Sequence, residues 1–192
     1  MSIKSISRAT DFVHSILKQK IHNGDIVVDA TMGNGHDIFF LYQQVGNDGI
    51  VYGFDIQHES LKNTLQLFKK NNVEVNLTNL NFILDGHENM NKYIDKPIDA
   101  AMFNLGYLPG GDKTIVTKPR TTIKALSTAL FLLKKGGVIS LIIYYGHSGG
   151  LDEKNSLLGY INQLPHSQYT VLSCNYTNQK NNPPIVLFVE KK

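Results

Sequence analysis

The chain of 192 residues has one cysteine, Cys174, and no tryptophan. A single thiol excludes an intramolecular disulfide and any cysteine-rich zinc site. In its apolar stretch Cys174 is expected to be a small core residue. Arginine is almost as scarce. Of 19 basic residues only Arg8 and Arg120 are arginines, so the bidentate forks common in nucleic-acid binders are few. The most apolar N-terminal stretch, Phe12-Val13-His14-Ser15-Ile16-Leu17, is broken by polar residues, which argues against a membrane span or a secretory leader. Pro/Ser-rich tracts, charge blocks and internal repeats are missing, and with them any sign of a linker. No H-E-x-x-H, Walker lysine loop or paired-cysteine motif occurs, so metal and nucleoside-triphosphate chemistry have no support. What remains is the expectation of a cytoplasmic protein of one domain, residues 1–192. Its 42% hydrophobic composition is enough for a full core.

A net charge of +3 permits a polyanionic partner without demanding one. Lys69-Lys70 and Lys134-Lys135 read as solvated faces. Lys113, Lys118 and Arg120 differ, because they share one segment beside a candidate site.

Apolar strands and helical stripes alternate along the chain. A helix is expected around Thr10 to Ile21, a strand at Ile26–Val28, a helix through Phe39 to Val45 and a strand from Ile50 to Phe54. Next come a helix from Glu59 to Lys70 with Leu61, Leu65 and Phe68 inward, a strand from Asn81 to Leu84 and another from Ile98 to Phe103. A helix from Thr121 to Lys135, closed by Gly136-Gly137, precedes a strand from Val138 to Tyr144 and a helix from Leu151 to Leu164. Tyr169–Tyr176 and Ile185–Val189 then follow one another without a helix between them, which implies an antiparallel hairpin at one edge of a parallel sheet.

The carboxyl ends of the strands carry the candidate chemistry, as expected for open α/β sheets. The first strand runs into Asp29-Ala30-Thr31-Met32-Gly33-Asn34-Gly35-His36-Asp37. Gly33 and Gly35 would admit a ligand close to the backbone. About twenty residues on, Asp55 ends the second strand, where an acid can accept hydrogen bonds from ribose hydroxyls. A dinucleotide fingerprint needs a third glycine where Ile38 stands, so a ligand without a pyrophosphate fits better. The plainer alternative is a βα turn with no ligand. The spacing D-x-x-x-G-x-G resembles motif I of S-adenosylmethionine-dependent methyltransferases, although Thr31 replaces that motif's first glycine. This resemblance implies a seven-stranded sheet with an antiparallel end. It also implies cofactor contacts from Asp29, Thr31, Gly33, Asn34, Gly35, Asp37, Asp55, Ile56, Gln57, Asp85, Gly86 and His87. Asp37 has a second reading, as a carboxylate complementing the helix dipole.

Asn104-Leu105-Gly106-Tyr107 is similar in spacing to the N-P-P-Y motif of amino-group methyltransferases, with Leu105 and Gly106 in place of the prolines. The similarity implies that the Asn104 amide oxygen and the next carbonyl hold the target amine while Tyr107 stacks on a base. The segment from Tyr107 to Thr122 is long for an αβ connection and reads as a substrate loop. Tyr144-Tyr145-Gly146-His147 lies after the fifth strand, with His147 either a proton acceptor or a loop-positioning residue.

D-A-T-M-G-N-G-H-D, F-D-I-Q, D-G-H, F-N-L-G-Y-L-P-G-G-D-K, T-K-P-x-T-T and Y-Y-G-H-x-G-G together resemble one bacterial family over the whole chain. Its small proteins have been labelled rRNA methylases and assigned as methyltransferases of 5-aminomethyl-2-thiouridine at the tRNA wobble position. The resemblance implies S-adenosylmethionine as cofactor, a tRNA anticodon stem-loop as partner and 5-methylaminomethyl-2-thiouridine as product. It gives Asn104, Tyr107 and His147 catalytic roles, and places Leu105, Gly106, Lys113, Lys118, Arg120 and Tyr144 on the substrate side. Neither a metal nor a membrane is expected, and oligomeric state, homodimer included, stays open. Methylation of rRNA or of a small amine, a dinucleotide-dependent oxidoreductase and a non-catalytic RNA-binding module are the alternatives.

Overall fold

In a computed structural model that describes residues 5–75 and 78–192, seven strands form one sheet in the order β3-β2-β1-β4-β5-β7-β6. The strands are β1 (Ile26–Asp29), β2 (Ile50–Asp55), β3 (Leu80–Leu84), β4 (Ile98–Leu105), β5 (Leu133–Ile143), β6 (Tyr169–Cys174) and β7 (Ile185–Lys191). β1 to β5 pair in parallel, and β7 is inserted antiparallel between β5 and β6. The fold is therefore the mostly parallel α/β sheet with an antiparallel end that the strand pattern predicts.

Side-chain alternation along the strands divides the core in two. Val27, Ala100, Met102, Val138, Ile142, Val186 and Phe188 face one side, against α1 (Ala9–Leu17), α2 (His36–Val45) and α3 (His58–Lys70). Val28, Ala101, Phe103, Leu105, Ile139, Leu141, Leu187 and Val189 face the other, against α4 (Pro119–Leu132) and α5 (Gly150–Ile161). Covering both faces is what allows the central strands to be nearly continuous apolar runs. Between β3 and β4 the chain makes only a 3₁₀ turn, His87–Lys92, whose Met90 is buried against the second face.

Several boundaries differ from the sequence expectation for identifiable reasons. α1 stops at Leu17 rather than Ile21, with Lys18 to Lys20 in a turn, and α5 ends at Ile161. α4 stops at Leu132, and Leu133 already pairs with Ile98 as the first residue of β5. Leu133 turns extended to make that pairing, and Lys191 caps the carbonyls freed there, its Nζ donating to Leu130 at 3.2 Å and Leu133 at 2.7 Å. Gly136 and Gly137 consequently lie in a register shift within β5 rather than closing a helix. On α3, Leu65 is exposed, while Phe68 is buried and Leu61 packs against the first core as expected, with Ser60 and Thr64 completing the inward face. β6 ends at Cys174, which is half-buried and packs at the margin of the first core rather than within it.

Candidate functional site

Strand order reverses between β1 and β4. This switch point brings the turn after β1 against the end of β4, where open α/β sheets form their crevice. β1 ends in Asp29, fully buried. Its Oδ1 accepts the Thr31 N–H at 3.0 Å, and its Oδ2 has no partner. Burial first, then the Asp37 and Asp55 carboxylates, hold the Asp29 carboxyl well above the usual range, which favours the protonated acid. Gly35, at φ 83°, caps α2. A Cβ there would stand 2.9 Å from the Thr64 Cα, so only glycine lets α2 start this close to α3.

Asp55 is the hub of the second strand end. Its Oδ1 accepts the Gln57 N–H at 2.9 Å, and its Oδ2 accepts the Gly33 N–H at 2.9 Å. The Ser60 hydroxyl lies 2.7 Å from Oδ2 and 2.6 Å from the Gly33 carbonyl. One hydroxyl proton serves only one of these acceptors. Oδ1 therefore keeps an acceptor direction for one ribose hydroxyl. A grip on both hydroxyls requires Ser60 to turn to Gly33. Beside Asp55, Ile56 and Leu84 expose apolar side chains, 60% and 38% accessible, at adjacent strand ends. An exposed apolar pair flanking the Asp55 carboxylate suits the faces of a planar ring.

Asp85 is committed locally: Oδ1 accepts the Gly86 N–H and the Asn89 amide, and Oδ2 accepts the Tyr93 hydroxyl at 2.9 Å. The Asn89 bond, followed by those of Tyr93 and Gly86, lowers the Asp85 carboxyl below its ordinary range. His87 is buried, with Nδ1 donating to the Ala30 carbonyl at 3.0 Å, and burial pushes its imidazole below the usual histidine range. The His87 side chain therefore supports the end of β1.

At the end of β4 the Asn104 N–H donates to Thr31 Oγ1 at 2.7 Å, and the Asn104 amide nitrogen donates to Asp37 Oδ2 at 2.7 Å. The amide oxygen of Asn104 is buried and has no partner. A carboxylate offers only lone pairs, so the amide must present its nitrogen to Asp37 and its oxygen away from it. Asp37 Oδ1 is taken by His14 Nε2 at 2.6 Å, a contact from α1 that the sequence did not suggest. Both Asp37 oxygens thus have protein partners.

The segment after β4 is tied down by a buried acid. Glu153 on α5 accepts the Thr117 hydroxyl at 2.6 Å and the Thr122 hydroxyl at 2.7 Å. Thr117 Oγ1 in turn accepts the Gly106 N–H at 3.0 Å, while the Thr117 N–H donates to the Gly106 carbonyl at 2.9 Å. Gly106 has φ 148°, a conformation side chains rarely adopt. Leu105 is fully buried, and its carbonyl receives the Tyr144 N–H at 3.2 Å. Tyr107 is 39% exposed and meets His147 edge-on, with ring centroids 5.8 Å apart. His147 Nδ1 donates to the Ser148 carbonyl at 3.0 Å, and Nε2 is buried without a partner. In the neutral ring Nε2 is therefore the acceptor nitrogen. The Asn34 amide donates to the Pro109 carbonyl at 3.0 Å, joining this segment to the glycine turn.

The glycine turn, Asp55, Asn104, Gly106, Tyr107 and His147 therefore meet as one cluster at the carboxyl ends of the strands. Tyr144 belongs to it: burial first, then the Asp37 carboxylate and Tyr176, raise its phenol. Lys113, Lys118 and Arg120 are exposed on the adjoining segment, with no ion-pair partner among the described residues. Lys113 Nζ lies 5.9 Å from the Tyr107 ring centre. His14, Ser60, Thr117, Thr122 and Glu153 were not singled out from the sequence. Glu153 left a signal, as the one acid on the inward stripe Glu153-Leu157-Ile161 of α5. A separate cleft lined by Asp95, Pro97, Phe131 and Lys191 lies at the opposite end of the sheet and holds no candidate residue. Among the described residues no group of three or more His, Cys, Asp or Glu could hold a metal ion, and no helix is long and apolar enough to cross a membrane.

Residues 51–190 match the family described as "Putative rRNA methylase". The chain is 36% identical to the chloroplastic tRNA (mnm(5)s(2)U34)-methyltransferase of Arabidopsis thaliana, over 96% of this chain and 70% of that protein. Among solved structures it is similar to a "putative rRNA-methylase" from Clostridium thermocellum, with 44% identity, a TM-score of 0.93 and coverage of 98% of this chain and 100% of that one. It is also similar to a "putative methyltransferase" from Streptococcus mutans in complex with SAH, with 37% identity, a TM-score of 0.88 and the same coverage.

Proposed function

The chain belongs to the family described as "Putative rRNA methylase", and from that premise we propose that it methylates the primary amine of 5-aminomethyl-2-thiouridine at the tRNA wobble position, giving 5-methylaminomethyl-2-thiouridine. That it is an S-adenosylmethionine-dependent methyltransferase follows from its relatives. The activity for which the plant relative is named supports the wobble uridine as the target. The single observation that carries the amine is the buried, unpartnered amide oxygen of Asn104 at the switch point. A buried acceptor without a donor costs about 1–3 kcal/mol, and a substrate N–H removes that cost on binding.

The residues present suit S-adenosylmethionine. Asp55 retains an acceptor direction, Ile56 and Leu84 expose apolar surface beside it, and Asp29 Oδ2 and Asn104 Oδ1 are polar atoms awaiting partners. When bound, S-adenosylmethionine supplies a methyl group on a sulfonium. The rest of the chemistry falls to this chain. An alkylammonium has no lone pair with which to attack, so the substrate nitrogen must shed a proton. His147 Nε2 is a lone pair on the Gly106 side of the crevice, 3.7 Å from where a Cβ on Gly106 would stand, and it takes that proton. Asn104 Oδ1 accepts a remaining N–H and aims the nitrogen, so that positioning is the main contribution. Tyr107 stacks on the base, and Lys113, Lys118 and Arg120 meet phosphates of the anticodon loop. The missing third glycine of a dinucleotide fingerprint and the antiparallel β7 argue against the dinucleotide oxidoreductase.

The test is methyl transfer in vitro to an anticodon stem-loop bearing 5-aminomethyl-2-thiouridine. The proposal predicts product with the wild type and a large loss of turnover in Asn104→Ala at nearly unchanged cofactor affinity. Transfer to unmodified rRNA fragments but not to this stem-loop would replace it with the rRNA alternative.

A further inference from the structure

We infer that His14, on α1 and outside every motif of the site, is a positioning residue for methyl transfer: through Asp37 it fixes the rotation of the Asn104 amide and so aims the amide oxygen at the acceptor nitrogen. This deepens the reading of Asn104 as the group that holds the amine, and rests on it.

An asparagine side chain has two ends of nearly equal size, and a half-turn about its last torsion exchanges them. Only the oxygen can accept from an amine N–H. Asp37 Oδ2, 2.7 Å from the Asn104 nitrogen, selects the productive orientation, because the reverse would set two acceptors against each other. A carboxylate held at one oxygen alone can swing away from that duty. His14 prevents this by donating from Nε2 to the other oxygen at 2.6 Å. The imidazole is itself clamped flat against Phe40, with ring centroids 3.9 Å apart and planes 7° from parallel. The buried Val13 and Leu17 anchor α1 to the first core, and so fix the distance from which His14 reaches. The chain His14–Asp37–Asn104 thus runs from α1 through α2 to β4 and ends on a bare acceptor. A purely structural buried pair would not need its last member left unsatisfied.

His14→Phe keeps the stack on Phe40 and deletes the donor, while His14→Gln returns an N–H on a side chain of similar reach. On the aminomethyl stem-loop, His14→Phe should lower kcat roughly 10- to 100-fold, with the KM for the stem-loop and the affinity for S-adenosylmethionine unchanged. His14→Gln should recover most of that loss. In an Asn104→Ala background His14→Phe should cause no further loss, because no amide remains to be oriented. Wild-type kcat in His14→Phe with Asn104→Ala still impaired would overturn the inference and leave the Asn104 reading intact, as would additive losses in the double variant. Wild-type kcat in Asn104→Ala would overturn the reading itself.

Discussion

At the residue scale the site is a set of polar atoms whose partners are only partly supplied by the chain. Asp29 is the extreme case, with one oxygen bonded, one bare and its carboxyl raised by burial and by two neighbouring acids. An acid raised on folding stabilises fully below its unfolded value, and that stability is lost as pH rises through the folded value. Asp29→Asn, which keeps the acceptor for Thr31, should therefore melt higher than the wild type, by a margin that widens as pH rises. Thermal melts of both proteins across that range check it; parallel curves would mean the carboxyl is not raised. His87 has the opposite sign. Its imidazole is lowered by burial, so its contribution is present above the ordinary histidine value of about 6.5 and disappears as pH falls below it. His87→Phe should flatten the acid limb of the stability profile between about pH 6.5 and the carboxylate range. Asp55→Ala leaves Gly33 and Gln57 N–H groups and the ribose without an acceptor. A severe loss of S-adenosylmethionine affinity in a folded variant is expected by calorimetry, and unchanged affinity would remove Asp55 from the site.

Elements decide which of these residues meet, and here the sequence was unevenly informative. The strand ends were legible because each apolar run stops at a polar or glycine residue, and period-two alternation predicts which side chains enter which core. Asp55 and Asn104 could be placed that way. His14 and Glu153 could not, because each is tied to residues 23 or more positions away on other elements and a helical stripe says only which face turns inward. The end of α4 was missed because Leu133 leaves the helix to pair with Ile98 of β4, a contact no helical stripe reveals. The substrate segment was recognisable by its length, but its anchoring was not, since Thr117 and Thr122 read as ordinary loop hydroxyls. Glu153→Ala removes the acceptor of both and frees the chain that holds Gly106. Loss of about 1–3 kcal/mol per buried hydroxyl is expected at this clamp, together with impaired transfer to the stem-loop and intact cofactor binding. A folded Glu153→Ala protein with wild-type transfer would mean the segment is held by other contacts.

For the whole molecule, the proposed function puts the cofactor over the ends of β1 to β3 and the substrate over those of β4 and β5, with β7 and the edge strand β6 beyond them. The basic residues beside the substrate edge give the electrostatic prediction. Neutralising Lys113, Lys118 and Arg120 together should weaken stem-loop binding and flatten its dependence on salt by up to about three units of slope. Transfer to the free aminomethyl-thiouridine nucleoside, which has no phosphates, should suffer far less. Parallel salt plots for wild type and triple variant would place the RNA elsewhere. Which atom is methylated is read most plainly by nucleoside mass spectrometry of tRNA from cells lacking this gene. There 5-aminomethyl-2-thiouridine should accumulate and its methylated form disappear, and the wild-type gene should restore it while the Asn104→Ala gene does not. Undiminished 5-methylaminomethyl-2-thiouridine in cells that made it before the deletion would refute the proposed reaction.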